Sequence, residues 1–437
     1  MAREPTPKRF KAAGMDQMEY AARAGADQQI RCVVSLDGHV DENRLERAIS
    51  LTMDAEPVLG SRFVERPFHS LYERRDDLDS ITFCSAVEVE DPDRELMDFL
   101  TAPIDPCRDP LVQVRVFRSR TDTVCVKMEH VAADTGGFKE YMYLLCSTYR
   151  RLIDDPEYVP EPNLKGERNI WQVLKRFRFI EILKALRTGT MPGLAWGFPW
   201  EKLDHSDRDF AVRRFPPEWF HALKEYGAGH QATVNDIILT AYFRTLFEMN
   251  DPEPGVPLPL NVPIDLRRYL PDGRAGAVCN CSGQLYPVIT REPGEDFDST
   301  LSRVSDVMNG FKENLPGVGS AIQIRMLLLF GFRIMKAGND YLIKKWDAAG
   351  KGFLYLSNLG ALSAEELDFG DVGISDSYLV SPIMYPPGAL LGVSSFKDTM
   401  TFTLGHSGAG ANRPVAERFL DLMERELAVT GLNTYHG

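Results

Sequence analysis

Hydrophobic and polar positions along the chain follow two periods, one typical of strands and one typical of helices. In the first third, short runs with a period of two are separated by turn residues, which predicts a sheet. Asp41 is expected to cap a helix, and another helix is expected soon after Gly137. The predicted strands are 29–36, 63–72, 81–89, 111–117 and 123–129, and the two helices are 42–53 and 138–153.

The character of the sequence changes between Asp154 and Asp209, where prolines surround a basic amphipathic stretch from Ile170 to Arg187. Such a segment is typical of a crossover between domains. Regular periods then return, and Thr233 is expected to cap a helix. Helices are predicted at 216–226, from 233, at 297–314, 321–345 and 413–429, and strands at 258–264, 282–288, 353–357, 373–380, 389–396 and 399–405.

The length of the chain indicates two domains rather than one. A chain of 437 residues exceeds the size at which a single hydrophobic core stops growing, so two lobes that meet at a cleft are expected. We place the N-terminal lobe at 1–155, the crossover with its basic helix at 156–206 and the C-terminal lobe at 207–437.

Composition excludes several classes of protein. A net charge of -13 argues against a nucleic-acid-binding protein, because phosphate contacts need a basic face. The seven cysteines are an odd number spread along the chain, and Cys279 and Cys281 lack a second pair at metal-ligand spacing, so neither a disulfide framework nor a metal site is expected. With no apolar run of membrane-spanning length, we expect a cytoplasmic protein without a membrane span.

Two basic regions stand out in this acidic chain, one from Lys165 to Arg187 and one from Arg325 to Lys345. Solvated helix faces are the simplest interpretation. The alternatives are a dock for coenzyme A phosphates, for an acidic carrier protein or for an anionic membrane surface. The apolar residues from Met326 to Phe330 would suit a lipid-like acyl chain or a core, and peripheral membrane contact is not predicted.

The candidate chemistry lies where the strand 123–129 ends. His130 follows that strand directly, so the sheet fixes its position while its side chain can project into a cleft. Histidine there can act as a general base on an alcohol or amine. Asp134 can brace the loop, and Gly136 and Gly137 can adopt a positive φ. Since a lone histidine also caps strands, the motif needs further support.

The His-x-x-x-Asp loop with its glycines, between a strand and an amphipathic helix, resembles the condensation-domain and chloramphenicol acetyltransferase-like superfamily. Further similar segments occur in the expected order over nearly the whole chain. They are Thr233–Ala241, Val262–Arg267, Leu356–Gly360, Asp368–Gly370 and Leu390–Phe396.

This resemblance implies an α/β fold of two similar lobes, each with a mostly antiparallel sheet, and a channel between them that opens on opposite faces. It implies that His130 is the general base and that Asp134 forms a salt bridge with Arg267 to hold the loop. Ser357 and Asn358 are candidates to stabilise an oxyanion, although they could instead cap their strand.

The sequence departs from the family pattern at two positions. Glu129 stands where many members have an additional histidine, and Thr135 precedes the glycines. The first departure leaves the catalytic histidine position intact, whereas the second could alter the loop.

We therefore expect an acyltransferase that moves an acyl group from a thioester to a hydroxyl or amine, without a covalent acyl-enzyme or a permanently bound cofactor. Acyl-coenzyme A is the favoured donor because the chain contains no carrier domain, and the acceptor would be a small or lipid-like molecule. One alternative is a condensation enzyme that joins substrates bound to an acyl-phosphopantetheine carrier protein. Another is a non-catalytic binding protein with the same fold.

Overall fold

The computed structural model describes residues 6–428. The predicted helix caps are confirmed: the Asp41 side chain accepts the Arg44 N–H at 3.0 Å, and Thr233 accepts the Asp236 N–H at 3.2 Å. The strands are β1 Arg9–Lys11, β2 Gln29–Leu36, β3 Ser61–Val64, β4 Leu71–Arg74, β5 Cys84–Glu88, β6 Val112–Arg118, β7 Asp122–Glu129, β8 Asp209–Phe215, β9 Leu258–Pro259, β10 Val262–Asp265, β11 Ser282–Leu285, β12 Val288–Ile289, β13 Leu354–Ala361, β14 Ile374–Val380, β15 Ala389–Phe396 and β16 Thr399–His406. The helices are α1 Gly14–Ala22, α2 Glu42–Ala55, α3 Pro92–Thr101, α4 Thr135–Asp154, α5 Trp171–Leu174, α6 Phe179–Thr188, α7 Pro217–Gly229, α8 Val234–Asn250, α9 Phe297–Lys312, α10 Val318–Leu327, α11 Phe332–Ala348 and α12 Ala409–Leu427.

Two sheets form the centres of two lobes, which confirms the predicted α/β class. The first has the order β14-β2-β7-β6-β5 and the second the order β13-β15-β16-β8. Neighbouring strands are antiparallel except for β5 with β6 and β13 with β15. Buried side chains of α2 and α4 pack on the first sheet, and those of α8, α9 and α12 pack on the second. The loop after β7, which carries His130, therefore starts from a central strand of the first sheet.

One strand crosses from the second half of the chain into the first lobe. β14 pairs antiparallel with β2, with Val380 opposite Arg31 at one end. The Leu379 N–H also donates to the Ser394 hydroxyl of β15 at 3.1 Å, so this strand contacts both sheets. A strand at 373–380 is predicted by the local pattern, but its place in the first lobe's sheet is not.

Five predicted elements are interrupted. The strand expected at 258–264 is split into β9 and β10, and the strand expected at 282–288 is split into β11 and β12. The strand expected at 63–72 is the hairpin of β3 and β4, because Pro67 in between cannot donate to a sheet. The helix expected at 321–345 is broken at Gly331, whose φ of 92° is not helical. The basic stretch folds as two short helices, α5 and α6, rather than one. The last helix ends at Leu427, and Val429 of the predicted span lies outside the described residues.

Two expectations about the whole chain can be compared with this structure. Within residues 6–428, no single helix is long and apolar enough to cross a bilayer, although α10 and α11 together would meet that test across a bend of 115°. All seven cysteines are free, and six of them are buried.

A buried ion pair joins β2 to the segment that follows β14. The Arg31 guanidinium pairs with Asp27 and donates to the carbonyls of Leu100 at 2.8 Å and Ser381 at 3.2 Å. The Asp27 carboxylate also accepts the Ile383 N–H at 2.9 Å. Both side chains are fully buried, so neither charge has water as an alternative partner.

We predict that Arg31→Met lowers the free energy of unfolding by about 3 to 5 kcal/mol, because it leaves the Asp27 charge and two carbonyls buried without their partner. Urea denaturation followed by circular dichroism measures the change. The control is Arg62→Met, which breaks a solvent-exposed pair with Glu73 and should cost less than about 1 kcal/mol. Equal losses in the two variants would contradict this account of Arg31.

Candidate active site

A cavity of about 530 Å³ separates the two lobes and is lined by residues from both. That volume is in the usual range for small-molecule sites. The first lobe supplies α1 and the loop after β7, and the second supplies β10, β11 and β13. The walls include His130, Ser357 and Asn358, so three residues singled out in the sequence lie around one space.

The backbone of His130 is held from two directions. Its N–H donates to the Gln28 carbonyl at 2.8 Å, just before β2 begins. Its own carbonyl accepts from the Asn280 amide at 2.9 Å, which belongs to the second half of the chain. The side chain is 16% exposed and lines the cavity. The strand end therefore fixes the backbone from which the imidazole projects.

The two ring nitrogens of His130 have different surroundings. Nδ1 is buried without a hydrogen-bond partner in the described chain, and it lies 3.7 Å from the Glu19 carboxylate of α1. This distance is too long for a hydrogen bond but close enough for the two charges to interact. Because Nδ1 faces Glu19, Nε2 is the nitrogen that remains to meet a molecule in the cavity.

Glu19 is an acidic neighbour that the sequence does not reveal. Burial raises its pKa, the adjacent His130 partly lowers it, and the carboxylates of Asp134 and Asp16 raise it further. Glu19 therefore keeps its proton to a higher pH than an exposed glutamate does. Its helix lies in the polar N-terminal stretch, where no helical pattern predicts α1.

Asp134 is engaged as a brace. Its carboxylate caps α4 by accepting the Gly137 N–H at 2.9 Å, and it accepts the Cys281 N–H at 2.7 Å. The Arg267 guanidinium lies 2.9 Å away. With its oxygens occupied by these donors, Asp134 joins the histidine loop to the second lobe.

Arg267 is the cation at the centre of this arrangement, and only 3% of its side chain is exposed. Besides Asp134, it contacts Asp265 at 3.1 Å and Glu140 at 3.3 Å, and it donates to the Cys279 carbonyl at 2.8 Å. Burial alone would lower its pKa, but the nearby carboxylates, Asp134 foremost, raise it. Burial also raises the pKa of Glu140 to about 7, against the lowering effect of Arg267.

The two glycines are needed for space, which corrects the predicted reason for them. Neither Gly136 nor Gly137 has a positive φ. A Cβ atom on Gly136 would lie 2.5 Å from an Arg267 nitrogen, and one on Gly137 would lie 2.5 Å from the Cys279 carbonyl oxygen. Any larger residue would push the guanidinium away from the first turn of α4.

Ser357 and Asn358 differ in how free they are. The side-chain Oδ1 of Asn358 accepts the Gly360 N–H at 3.0 Å where β13 shifts register, and its side-chain Nδ2 lies 3.5 Å from Oδ1 of Asn235. The Ser357 hydroxyl has no hydrogen-bond partner within residues 6–428. Two tyrosines on the same walls were not predicted: burial raises the pKa of Tyr286 to about 12 and raises that of Tyr355 as well.

The two departures from the family pattern fit into the structure. Glu129 is completely buried, points into an ion pair with Arg23 and has its pKa raised by burial. Thr135 is the first residue of α4 and leaves the Asp134 cap in place. In the described part of the chain, no group of three or more potential metal-ligating side chains could hold an ion.

We predict that Arg267→Ala lowers the free energy of unfolding by about 3 to 5 kcal/mol and weakens activity with it, because Asp134 is left as a buried charge. Arg267→Lys should recover only part of the loss, since an ammonium lacks the planar fork. The exposed neighbour variant Arg268→Ala is the control and should change stability by less than about 0.5 kcal/mol. Urea denaturation measures all three, and unchanged stability in Arg267→Ala would argue against the bracing role.

Comparison with known proteins supports the architecture. No family model and no curated protein matches the sequence. Polyketide synthase associated protein 5 from Mycobacterium tuberculosis superposes with a TM-score of 0.64 over 100% of both chains, at 16% identity. The first condensation domain of the CDA synthetase gives 0.64 over 96% of both chains, also at 16% identity.

A third solved structure adds an enzyme of another kind. The TRI3 trichothecene 15-O-acetyltransferase from Fusarium sporotrichioides has a TM-score of 0.70, over 97% of this chain and 95% of that chain, at 10% identity. All three likenesses extend over nearly the whole chain at low identity, so what they share with it is architecture. The protein therefore shares its two-lobed fold with these condensation-domain and acetyltransferase structures.

Proposed function

We propose that the protein is an acyltransferase that moves an acyl group from a thioester to a hydroxyl or amine. One observation carries this proposal: His130 lies on the wall of the cavity between the lobes, with Nδ1 turned toward Glu19 and Nε2 left for a substrate. An imidazole in a cavity of this kind is suited to removing a proton from an attacking group.

In the proposed reaction, the acceptor oxygen or nitrogen attacks the carbonyl carbon of the thioester while its proton moves to Nε2 of His130. A new C–O or C–N bond forms, and the carbonyl oxygen becomes an oxyanion. Collapse of this intermediate breaks the C–S bond, and the leaving sulfur takes the proton back from the imidazolium. The acyl group never bonds to the protein.

The oxyanion needs a donor that is already in place. Ser357 is the better of the two predicted candidates, because its hydroxyl lies on the cavity wall without another partner in residues 6–428. The Asn358 side chain is already used to hold the β13 irregularity. Glu19, once ionised, would place a negative charge 3.7 Å from the imidazolium that forms on His130 during the reaction.

Acyl-coenzyme A is the proposed donor. A cavity of about 530 Å³ has room for the acyl group, the thioester and an acceptor, while the nucleotide would remain outside. The second candidate is condensation between carrier-bound substrates, and it is favoured by the likeness to a condensation domain over 96% of the chain. Both donors present the same pantetheine thioester, so the two candidates share the chemistry at His130.

We predict that His130→Ala lowers the turnover number about 10²- to 10⁴-fold, because the reaction loses its general base. The assay measures thiol release from short and long acyl-coenzyme A donors with a panel of alcohols and amines. The control is His221→Ala, which changes an exposed histidine and should leave turnover unchanged. Thermal unfolding should be similar for both variants and the unchanged protein.

Full turnover in His130→Ala would exclude the proposed mechanism. Transfer from free acyl-coenzyme A to small acceptors would support the first candidate. Transfer that occurs only when the thioester is loaded on a carrier protein would favour condensation. Binding of acyl-coenzyme A without any transfer would indicate a non-catalytic binding protein.

We predict opposite effects of Glu19→Gln on turnover and on stability. The pKa of Glu19 is raised by burial, so its contribution to stability is fully present below its unfolded-state pKa and is lost as pH rises through the folded-state pKa. Glutamine carries no charge, so the variant should lose less stability than the unchanged protein as pH rises above the unfolded-state pKa of Glu19. At pH values where Glu19 is ionised, turnover should fall about tenfold, because the imidazolium loses its neighbouring charge.

Urea denaturation at several pH values and the thioester assay provide the two measurements. The control is Glu65→Gln, which changes a carboxylate hydrogen-bonded to Tyr20 and should leave turnover unaltered. A Glu19→Gln variant with full turnover and the stability profile of the unchanged protein would show that Glu19 does not influence His130.

A further inference from the structure

Exposed hydrophobic side chains concentrate on one part of the molecule. Of fifteen large hydrophobic residues exposed within residues 6–428, twelve lie in the β3–β4 turn, in α5 and α6, or between Met326 and Leu342. At the bend between α10 and α11 and in the facing β3–β4 turn, Leu329, Phe68 and Phe330 have exposed fractions of 79%, 73% and 69%. We call these three residues the apolar tip.

The apolar tip is assembled from two distant segments. The Phe332 N–H donates to the Phe68 carbonyl at 3.0 Å, and the Arg333 N–H donates to the Pro67 carbonyl at 3.0 Å. Leu329 and Phe330 stand at the 115° bend between α10 and α11, just before Gly331. Backbone hydrogen bonds therefore hold the tip in an exposed position where these side chains bury little apolar surface.

Helix α6 extends this surface. It packs on α10, where the Gln323 amide donates to the Leu186 carbonyl at 3.3 Å, and it exposes Phe179 and Ile180. The preceding α5 adds Trp171, whose ring lies 4.5 Å from the Arg325 guanidinium. Monomeric proteins rarely expose so many neighbouring apolar side chains unless they bind something.

The helices that expose these apolar residues also carry basic ones. The segments 170–188 and 318–348 contain ten Lys and Arg residues against three Asp and Glu, in a chain with 50 basic and 63 acidic residues. Arg333, Lys344 and Lys345 are exposed on α11. In the described chain, no carboxylate lies within salt-bridge distance of these three. This surface is therefore a positive region on a negative protein.

The same surface reaches the cavity. Leu327 is exposed beside the apolar tip and also lines the cavity that contains His130. Ile324 of α10 and Ile343 of α11 line that cavity too. An apolar path thus leads from the exposed helices to the candidate active site.

We propose that this surface docks on an anionic lipid bilayer, with the apolar tip inserted among the lipid headgroups and the basic residues of α6 and α11 facing the lipid phosphates. Protruding Phe and Leu side chains flanked by Lys and Arg are the combination that binds at a membrane interface. Docking does not depend on acyl transfer. If the proposed function also holds, an acceptor or acyl chain could enter the cavity directly from the membrane.

Two other occupants fit the surface less well. A second copy of the chain would bring the same positive region against its own counterpart, which like charges oppose. An acidic carrier protein would match the charge, but it would leave the apolar tip without a hydrophobic environment. A bilayer provides both the negative charge and the apolar interior.

The test is flotation of the full chain with vesicles of phosphatidylcholine alone or with roughly 30% phosphatidylglycerol. We expect binding to the anionic vesicles that weakens as salt is raised. Leu329→Glu combined with Phe330→Glu should reduce the bound fraction about tenfold, and Lys344→Glu combined with Lys345→Glu should do the same. Phe68→Glu tests the contribution of the β3–β4 turn to binding by the apolar tip.

The control is Leu203→Glu, which adds the same charge at another exposed apolar site and should bind vesicles like the unchanged protein. His130→Ala should also bind normally, so a failure of docking and a failure of acyl transfer can be told apart. No binding to anionic vesicles would overturn the proposal. So would equal binding by the tip variants, or self-association that the tip variants abolish while vesicles are ignored.

Discussion

The buried ion pair between Asp134 and Arg267 is the contact on which the rest of the site depends. Asp134 belongs to the loop that follows the first lobe's sheet, and Arg267 follows β10 in the second lobe. Their 2.9 Å contact therefore fixes the histidine loop and the relation between the lobes at once. The Arg267 guanidinium lies so close to the first turn of α4 that residue 136 must be glycine, and the Cys279 carbonyl together with the guanidinium imposes the same limit at residue 137. The hydrogen bonds from Asn280 to the His130 carbonyl and from the Cys281 N–H to Asp134 reinforce this attachment.

The site concentrates acidic groups whose ionisation is costly. Burial raises the pKa of Glu19, Glu129 and Glu140. It also raises the pKa of Asp265, and the neighbouring Asp134 carboxylate acts in the same direction. Placing the carboxyls of Glu19, Glu129 and Glu140 where little water reaches them costs stability. Their presence beside one histidine and one arginine is typical of a functional site, where perturbed groups cluster. Glu129 is the exception, because its pairing with Arg23 serves the fold of the first lobe.

Local patterns in the sequence predict the local structure well. Asp41 and Thr233 cap their helices as expected, and β7 leads into His130 and then into α4. Interruptions were harder to predict, because the break at Gly331 depends on a backbone conformation that hydrophobic spacing does not report. The crossing of β14 into the first sheet could not be predicted at all, since pairing with β2 is a long-range contact between two ordinary strands.

The same distinction applies to the site. The His130 loop was visible because its residues are adjacent in the sequence, and the Arg267 pairing was an implication of the family resemblance. Glu19, Tyr286 and Tyr355 were missed, because only the folded chain brings α1, β11 and β13 to one cavity. The sequence predicts Gly136 and Gly137 to be needed for a positive φ. The structure shows that they are needed for space, because the Arg267 guanidinium from the second lobe packs against them.

The most direct test of the central claim is a crystal structure of the protein with a non-transferable acyl-coenzyme A analogue. In this analogue a methylene stands between the sulfur and the carbonyl carbon, so the acyl group cannot leave. We predict that the carbonyl carbon lies in the cavity between the lobes, with an acceptor site between it and Nε2 of His130 and its oxygen directed toward Ser357. Binding of the analogue outside that cavity, or with its carbonyl turned away from His130, would contradict the account.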